Sequence, residues 1–282
     1  MNQLSTLLST PDVTLRRFAH EPGVPHADPD HEVSRLDSIN FVEGGGFQVR
    51  MQGGQWQLDP GTVFVTARGM TYSCVHQDEA PSDECLSVAL GEQAAEDLRS
   101  AGMPALRPPV FGLDARSRFL RRRIESCGAG QEVRLDLIAA ELFMAVAGAV
   151  PAGRTSHNAR VIRGIERVAD LIEAEHARPL ALRELAAAAG MSPYHLSRVF
   201  RNVTGISPHR YLAAVRLRHA AAMLRRGASV THTCYATGFG SLSHFITAFG
   251  RRFGITPSAV ARGARLPMHR VAPATPLFPR RT

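Results

Sequence analysis

Lysine is absent from the 282-residue chain, so all 33 of its basic residues are arginines. Acidic residues are absent after Glu184, although 14 arginines follow that position. Residues 1–150 carry 13 arginines and 20 acidic residues, a net charge of −7, whereas residues 151–282 carry 20 arginines and 5 acidic residues, a net charge of +15. A bias toward arginine codons explains the missing lysine but not the missing acids. The asymmetry indicates an acidic domain joined to a domain that binds a polyanion.

Long hydrophobic runs and clustered cysteines are also lacking. The longest apolar run, Leu137 to Val150, has 14 residues and includes Glu141, which is short of the roughly 20 residues that span a bilayer. The N-terminus has no charged segment followed by an apolar one, so no signal peptide is predicted. The 4 cysteines are scattered, as is typical of free thiols in a reducing compartment. We therefore expect a cytoplasmic protein with no membrane partner.

The first 90 residues favour short antiparallel strands. The predicted strands are 14–19, 38–43, 46–50, 55–58, 61–66, 71–76 and 85–90. Glycine pairs and an Asp-Pro-Gly sequence separate several of them, as turn geometry requires. Many short, regularly spaced strands are typical of a small antiparallel barrel or sandwich. Helical periodicity follows near 91–100, 114–126 and 132–149, and the arginine run 121–123 is expected to lie on a solvated helix turn.

The C-terminal half contains one phrase twice. Residues 190–208 are GMSPYHLSRVFRNVTGISP, and residues 238–257 are GFGSLSHFITAFGRRFGITP. The matching positions are 49 residues apart, as between His195 and His244. A repeat of this length indicates a duplicated supersecondary element.

The first copy predicts a helix-turn-helix. A short amphipathic helix over 182–189 ends at Gly190, and Ser192 caps a second helix that begins at Pro193. One side of the second helix is apolar, with Leu196, Val199 and Phe200. The other side carries the candidate DNA-binding residues Tyr194, Ser197, Arg198 and Arg201. Donors and a planar guanidinium on one helix face suit the major groove of DNA.

The second copy predicts the same arrangement. Its first helix covers Val230 to Thr237, Gly238 forms the turn, and Ser241 caps the second helix. The apolar stripe is Leu242, Phe245, Phe249 and Phe253. The outward-facing candidates are Ser243, His244, Thr247 and Arg251. A long helix from Pro208 to Arg226 joins the two copies, so one chain is expected to reach two successive major grooves.

Residues 161–262 resemble the DNA-binding domain of the AraC/XylS family of bacterial transcription regulators. The motifs that carry the resemblance are LRELAAAAGMSPYHLSRVF, TGISPHRYLAAVRLRHAAAMLRRG and GFGSLSHFITAFGRRFGITPSAV. The resemblance implies two helix-turn-helix elements joined by a long helix. It also implies that Tyr194 and Arg198 contact bases in the first element, and that Ser243 and Thr247 do so in the second.

The second element departs from the family pattern. Val230, Thr233 and Cys234 stand where the family usually has Ile-x-x-Ile-Ala. Thr247 occupies a position where a long basic residue is frequent, and Gly250 one where Lys or Arg often contacts phosphate. A glycine inside a helix costs about 1 kcal/mol relative to alanine. We therefore expect the second element to discriminate less between sequences than the first.

The N-terminal strands and helices resemble the cupin-like effector domain, with its helical dimerisation segment, of many family members. The sequence LDPGTVFVTARGMTYSCVH carries this resemblance. It implies a small effector bound inside the barrel, or a domain that only mediates dimerisation.

Two alternatives remain for this half. A metal-dependent cupin enzyme is disfavoured because the chain has no His-x-His pair, and His20, His26 and His31 lie in a proline-rich stretch. A metal or thiol sensor would use Cys74, His76 and Cys85. These residues lack Cys-x-x-Cys spacing, and cysteine is often simply buried, so the sensor is the weaker interpretation.

The sequence therefore predicts an α+β protein. We expect a cupin-like antiparallel β-barrel with a helical segment over 1–150, a linker over 151–160, a double helix-turn-helix domain over 161–263 and a disordered tail over 264–282. The predicted function is DNA-binding regulation of transcription, not catalysis, with no catalytic residue, metal or cofactor. The expected partners are double-stranded DNA, a small-molecule effector, RNA polymerase and a second copy of the chain. Whether transcription rises or falls is left open.

Overall fold

The computed structural model describes residues 3–19, 32–51, 54–75, 83–106, 110–112, 115–147 and 159–266. The chain divides into two compact units. The sheet unit comprises Met1–Asp114, Gly128–Glu132 and Leu142–Gly153. The helical unit comprises Ala115–Cys127, Val133–Glu141 and Arg154–Thr282. The predicted domain boundary near residue 150 stays a prediction. The two compact units are divided differently, because residues 115–127 and 133–141 group with the C-terminal helices.

The strands of the sheet unit confirm the predicted strands to within about two residues at each end. They are β1 Gln3–Ser9, β2 Val13–Ala19, β3 Glu32–Val33, β4 Ser38–Gly44, β5 Phe47–Met51, β6 Gly54–Leu58, β7 Thr62–Thr66, β8 Thr71–Val75, β9 Glu84–Leu90 and β10 Val110–Gly112. Strands β1, β3 and β10 were not predicted. The first of these is recognisable only through its antiparallel pairing with β2, from Gln3 opposite Ala19 to Ser9 opposite Thr14.

The strands form two antiparallel sheets. One sheet has the order β1-β2-β9-β4-β7-β10, and the other has the order β3-β8-β5-β6. An apolar cluster draws side chains from both sheets, including Val42, Phe64 and Cys85 from the first and Val49 and Leu58 from the second. The prediction of a closed barrel is therefore wrong for the described strands. Their shared core is enclosed by packing of two sheet faces, because no ladder of backbone hydrogen bonds joins the sheets.

The helices follow the predicted periodicity. They are α1 Glu92–Ser100, α2 Ala115–Glu125, α3 Glu132–Ala147, α4 Ala159–Glu175, α5 Leu182–Ala189, α6 Pro193–Thr204, α7 Pro208–Arg225, α8 Val230–Ala236, α9 Leu242–Phe253 and α10 Pro257–Ala261. The mixed α+β class, with an N-terminal sheet region and C-terminal helices, is confirmed. Within the described part of the chain, no helix is both long and apolar enough to cross a membrane.

The arginine run at 121–123 does not form the solvated turn that the sequence suggested. Arg121 pairs with Glu125 on the same helix, and Arg122 donates to Glu166 at 2.8 Å. Arg123 is only 6% exposed and pairs with Asp170 and Glu173 of α4. The prediction of a solvated turn is therefore wrong for Arg123, which is a structural charge, whereas the Arg122 side chain is 60% exposed.

Candidate nucleic-acid interface

Uncharged side chains cap the helices that form the candidate interface. The hydroxyls of Ser192 and Ser241 accept hydrogen bonds from the backbone N–H groups of His195 and His244, at 3.3 and 3.4 Å. The same pattern begins α7, α8 and α10, at Ser207, Ser229 and Thr256. Asp is an equally good cap, but it would add negative charge. The hydroxyl caps preserve a surface without acids.

Two matching helix pairs stand at the repeated phrases. The first motif is defined as α5, the turn and α6 (Leu182–Thr204), and the second motif as α8, the turn and α9 (Val230–Phe253). Glycines at φ 65° and 83°, Gly190 and Gly238, form the two turns. Because L side chains rarely adopt this backbone region, glycine is favoured at both positions.

The core face of each second helix is as predicted. Leu196, Val199 and Phe200 are at most 5% exposed on α6. Phe245, Phe249 and Phe253 are fully buried on α9, with successive ring centroids 5.7 and 4.6 Å apart. Leu242 is only partly buried, because it lies in the first turn of α9. These contacts fix the rotation of each helix about its axis.

The opposite faces carry the predicted site residues. Tyr194, Arg198 and Arg201 are exposed on α6, with Tyr194 at 80%, whereas Ser197 is partly buried. On α9, the exposed residues are Ser243, His244, Thr247 and Arg251. Each motif thus brings its candidates to one surface. Their contact with bases or phosphates stays a prediction.

Two sets of arginines in the helical unit differ in what their side chains contact. Arg198, Arg201 and Arg251 are exposed and have no side-chain partner among the described residues. Arg218 and Arg252 are 4% and 6% exposed and pair with Glu173 and Glu141, each at 2.7 Å. Only the first group can offer its donors to a polyanion without breaking an internal pair. The charge pattern of the sequence does not distinguish the groups.

Glu173 is the centre of the buried charges. Burial alone would raise the pKa of this carboxyl, but Arg218, His219, Arg134 and Arg123 outweigh burial and hold the pKa well below its usual range. Arg218 lies on α7, Arg123 on α2 and Arg134 on α3. One carboxylate from α4 therefore neutralises cations from three other helices.

The second motif contains a buried hydroxyl that is poorly satisfied. Thr233 and Cys234 fill the core of α8 at 0% exposure, where the family pattern has Ile and Ala. The Thr233 hydroxyl is buried and finds no hydrogen-bond partner within the described ranges. Thr237 is 1% exposed, and its hydroxyl donates to the Thr233 carbonyl at 2.8 Å.

The Cys74, His76 and Cys85 site stays a prediction. Cys85 is 8% exposed in the apolar cluster between the sheets, and Cys74 packs against that cluster. Burial, followed by nearby acidic side chains, raises the pKa of Cys85 to about 12. His76, like His20, His26 and His31, lies outside the described residues. Where the structure describes side chains, no group of three His, Cys, Asp or Glu is placed to hold a metal ion.

Comparison with known proteins identifies the family. A profile described as a helix-turn-helix domain matches residues 185–263. The HTH-type transcriptional activator RhaS of Salmonella arizonae is 31% identical over 264 residues, which cover 87% of this chain and 92% of RhaS. The chain belongs to the AraC/XylS family of transcription regulators. This membership confirms the prediction of a DNA-binding transcription regulator.

Other relatives match a smaller part of the chain. GlxA of Rhizobium meliloti is 38% identical over 109 residues, which cover 38% of this chain and 32% of GlxA. The crystal structure of a probable AraC family transcriptional regulator from Rhodopseudomonas palustris CGA009 is 33% identical, covers 36% of this chain and 98% of that chain, and has a TM-score of 0.34. The chain thus spans about a third of GlxA, while it spans nearly all of RhaS.

Proposed function

We propose that this regulator binds double-stranded DNA through both motifs at once, with α6 and α9 in successive major grooves of one operator. One observation carries the proposal. The helices α6 and α9 expose similar polar faces, and the chain from α6 to the end of α9 contains no acidic residue. Successive major grooves on one side of a duplex are about 34 Å apart. A single protomer would then contact two short base sequences separated by a fixed spacer.

The exposed side chains have different roles in this proposal. Arg198 is the one long planar donor at a base-reading position, and a bidentate contact of arginine with guanine contributes about 1–3 kcal/mol of discrimination. Thr247 occupies the equivalent position on α9, and its short hydroxyl accepts several bases. Arg201 and Arg251 lie farther along each helix and would contact phosphates. Tyr194, Ser197, Ser243 and His244 complete the two surfaces.

The sheet unit would supply the regulation. We propose that a small apolar effector binds at the side of the apolar cluster where the partly buried Trp56, Met70 and Tyr72 pack against it. Trp56 is the only tryptophan in the chain, so its fluorescence would report binding in this unit alone. RhaS is named an activator. That name favours activation here too, with RNA polymerase as the partner and a homodimer as the active form.

Three alanine variants test the DNA proposal. Arg198→Ala should relax base preference at one or two positions of the operator, because the guanidinium is lost from the groove. Arg251→Ala should weaken binding to all sequences alike and reduce the slope of log affinity against log salt by about one. Thr247→Ala should change little. Selection from a random DNA library, followed by a salt titration of the selected site, measures all three.

The matched control is Arg50→Ala, which removes the same charge from an exposed position on β5. It should leave both base preference and the salt slope unchanged. If Thr247→Ala erases base preference while Arg198→Ala preserves it, the second motif is the dominant one and the assignment of roles is reversed.

A further inference from the structure

The loop that precedes the first motif is held at its backbone by two other elements. This loop runs from His176 to Ala181, between the end of α4 and the start of α5. Its position sets where α5 begins, and α5 carries α6. Whatever holds the loop therefore also positions the first recognition helix.

Arg216, in the middle of α7, makes the first of these connections. Its Nε donates to the carbonyl oxygen of His176 at 2.7 Å, and its Nη2 donates to that of Arg178 at 2.9 Å. One turn later on α7, the ring of His219 stacks on that of His176 with centroids 3.8 Å apart. The planar guanidinium can bridge two carbonyls in fixed geometry, which a lysine ammonium cannot do as well.

Gly238, in the turn of the second motif, makes the other connection. Its φ is 83°, and a Cβ built on it would lie 2.9 Å from the carbonyl carbon of Ala177. The turn and the loop backbone are therefore in direct contact. Arg216 of α7 thus contacts His176 and Arg178, and Gly238 of the second motif contacts Ala177 between them.

Side-chain packing does not fill this junction. A pocket of about 100 Å³ that opens to solvent lies beside it, lined in part by Leu212, Arg216, Leu217, Gly238 and Phe239. Because close packing normally fixes the alignment of helices, the unfilled space leaves more of the alignment to the hydrogen bonds of Arg216. With its donors in use, this arginine differs from the exposed arginines of α6 and α9.

We propose that Arg216 is a positioning residue that sets the spacing between the two half-sites the regulator accepts. The loop and α7 both connect the first motif to the second, so loss of the bridge would let the first motif shift relative to the second. Base contacts within each half-site would persist. The inference rests on the proposed function, because spacing has meaning only if both motifs bind one operator.

The test is a selection from DNA libraries that hold both half-sites constant and vary the spacer. The full-length protein should select one spacer length. Arg216→Met should accept spacers one base pair shorter or longer and bind the best site roughly tenfold more weakly, since pre-organisation is lost. Arg216→Lys, which keeps the charge, should show the same relaxation if the bridge matters and wild-type behaviour if only the charge matters. Arg225→Met, at the exposed end of α7, is the control and should keep the wild-type spacer.

The outcomes distinguish failure of the two-motif function from failure of the positioning role of Arg216. A wild-type protein that selects only one half-site would overturn the two-motif function and this inference with it. If wild type selects two half-sites, while Arg216→Met and Arg216→Lys melt cooperatively and keep the wild-type spacer preference, the positioning role alone is wrong. If Arg216→Met fails to fold, Arg216→Lys decides the question. Hydrogen exchange at amides 176–181 should rise in the variants if the loop is released.

Discussion

At the scale of single residues, two buried threonines have opposite energetic roles. Thr233 lies in α8, and Thr237 directly follows that helix. Thr233 is 0% exposed, and its hydroxyl is without a partner in the described part of the chain. Thr237 is 1% exposed and donates a 2.8 Å hydrogen bond. A buried hydroxyl without a partner costs about 1–3 kcal/mol, whereas a satisfied one contributes about 1 kcal/mol. Two residues of one type, four positions apart, therefore provide a matched comparison.

We expect Thr233→Val to raise the free energy of unfolding by about 1 kcal/mol, because the isosteric change removes only the unsatisfied hydroxyl. Thr237→Val should lower it by a similar amount. Urea denaturation of the two variants beside the wild type measures both effects. Destabilisation by Thr233→Val would mean that its hydroxyl has a partner after all.

At the scale of the secondary-structure elements, Glu173 joins α4 to α2, α3 and α7 through buried ion pairs. A carboxyl whose pKa is lower in the folded than in the unfolded protein stabilises the fold at pH values above its unfolded pKa, here 4.5. That stabilisation is lost as the pH falls below this value. The groups that face Glu173 are Arg123, Arg134, Arg218, His219 and, through its backbone oxygen, His176.

Glu173→Gln should lower the free energy of unfolding at pH 7 by about 3–5 kcal/mol, because it leaves buried arginines without their carboxylate. The variant should also lose less stability than the wild type between pH 5 and pH 3, a window chosen to span the unfolded value of 4.5. Urea titrations at several pH values measure both effects. Glu184→Gln, on an exposed ion pair with Arg178, is the control and should behave like the wild type. Identical acid profiles for Glu173→Gln and wild type would refute the role of Glu173.

At the scale of the whole molecule, the helical unit includes residues before residue 150. The ring of Phe119, which is 1% exposed, lies 5.9 Å from that of Tyr211, and Glu141 pairs with the buried Arg252 of α9. The apolar faces of α2 and α3 are largely buried within one chain. Less apolar surface of these helices is therefore available for contact with a second copy of the chain. Self-association through α2 and α3 stays a prediction.

A fragment of residues 158–265 should fold and bind DNA, but a fragment that begins at residue 115 should be more stable. The shorter fragment loses the Phe119 contact and leaves Arg252 buried without Glu141, so we expect its free energy of unfolding to be lower by about 3 kcal/mol or more. Urea denaturation of both fragments measures the difference. Phe119→Ala in the longer fragment should reproduce part of this loss of stability. Equal stabilities would show that α2 and α3 contribute nothing to the helical unit.

The sequence by itself determined the local features of this protein. Ser192 and Ser241, Gly190 and Gly238, and the apolar stripes of α6 and α9 act over a few residues, so their roles follow from spacing alone. The family and the two exposed faces followed from the same features. Only the tertiary structure decided the rest, including how the strands divide between two sheets.

The roles of the arginines depend on long-range contacts. Arg218 finds a carboxylate 45 positions away and Arg252 one 111 positions away, while Arg251 beside it remains exposed. Helical spacing places Arg252, three residues after Phe249, on the core side of α9 and Arg251 on the outer side, but it names no partner for Arg252. Their difference arises because the core face of α9 fixes its rotation, which turns one guanidinium toward Glu141 and the other toward solvent.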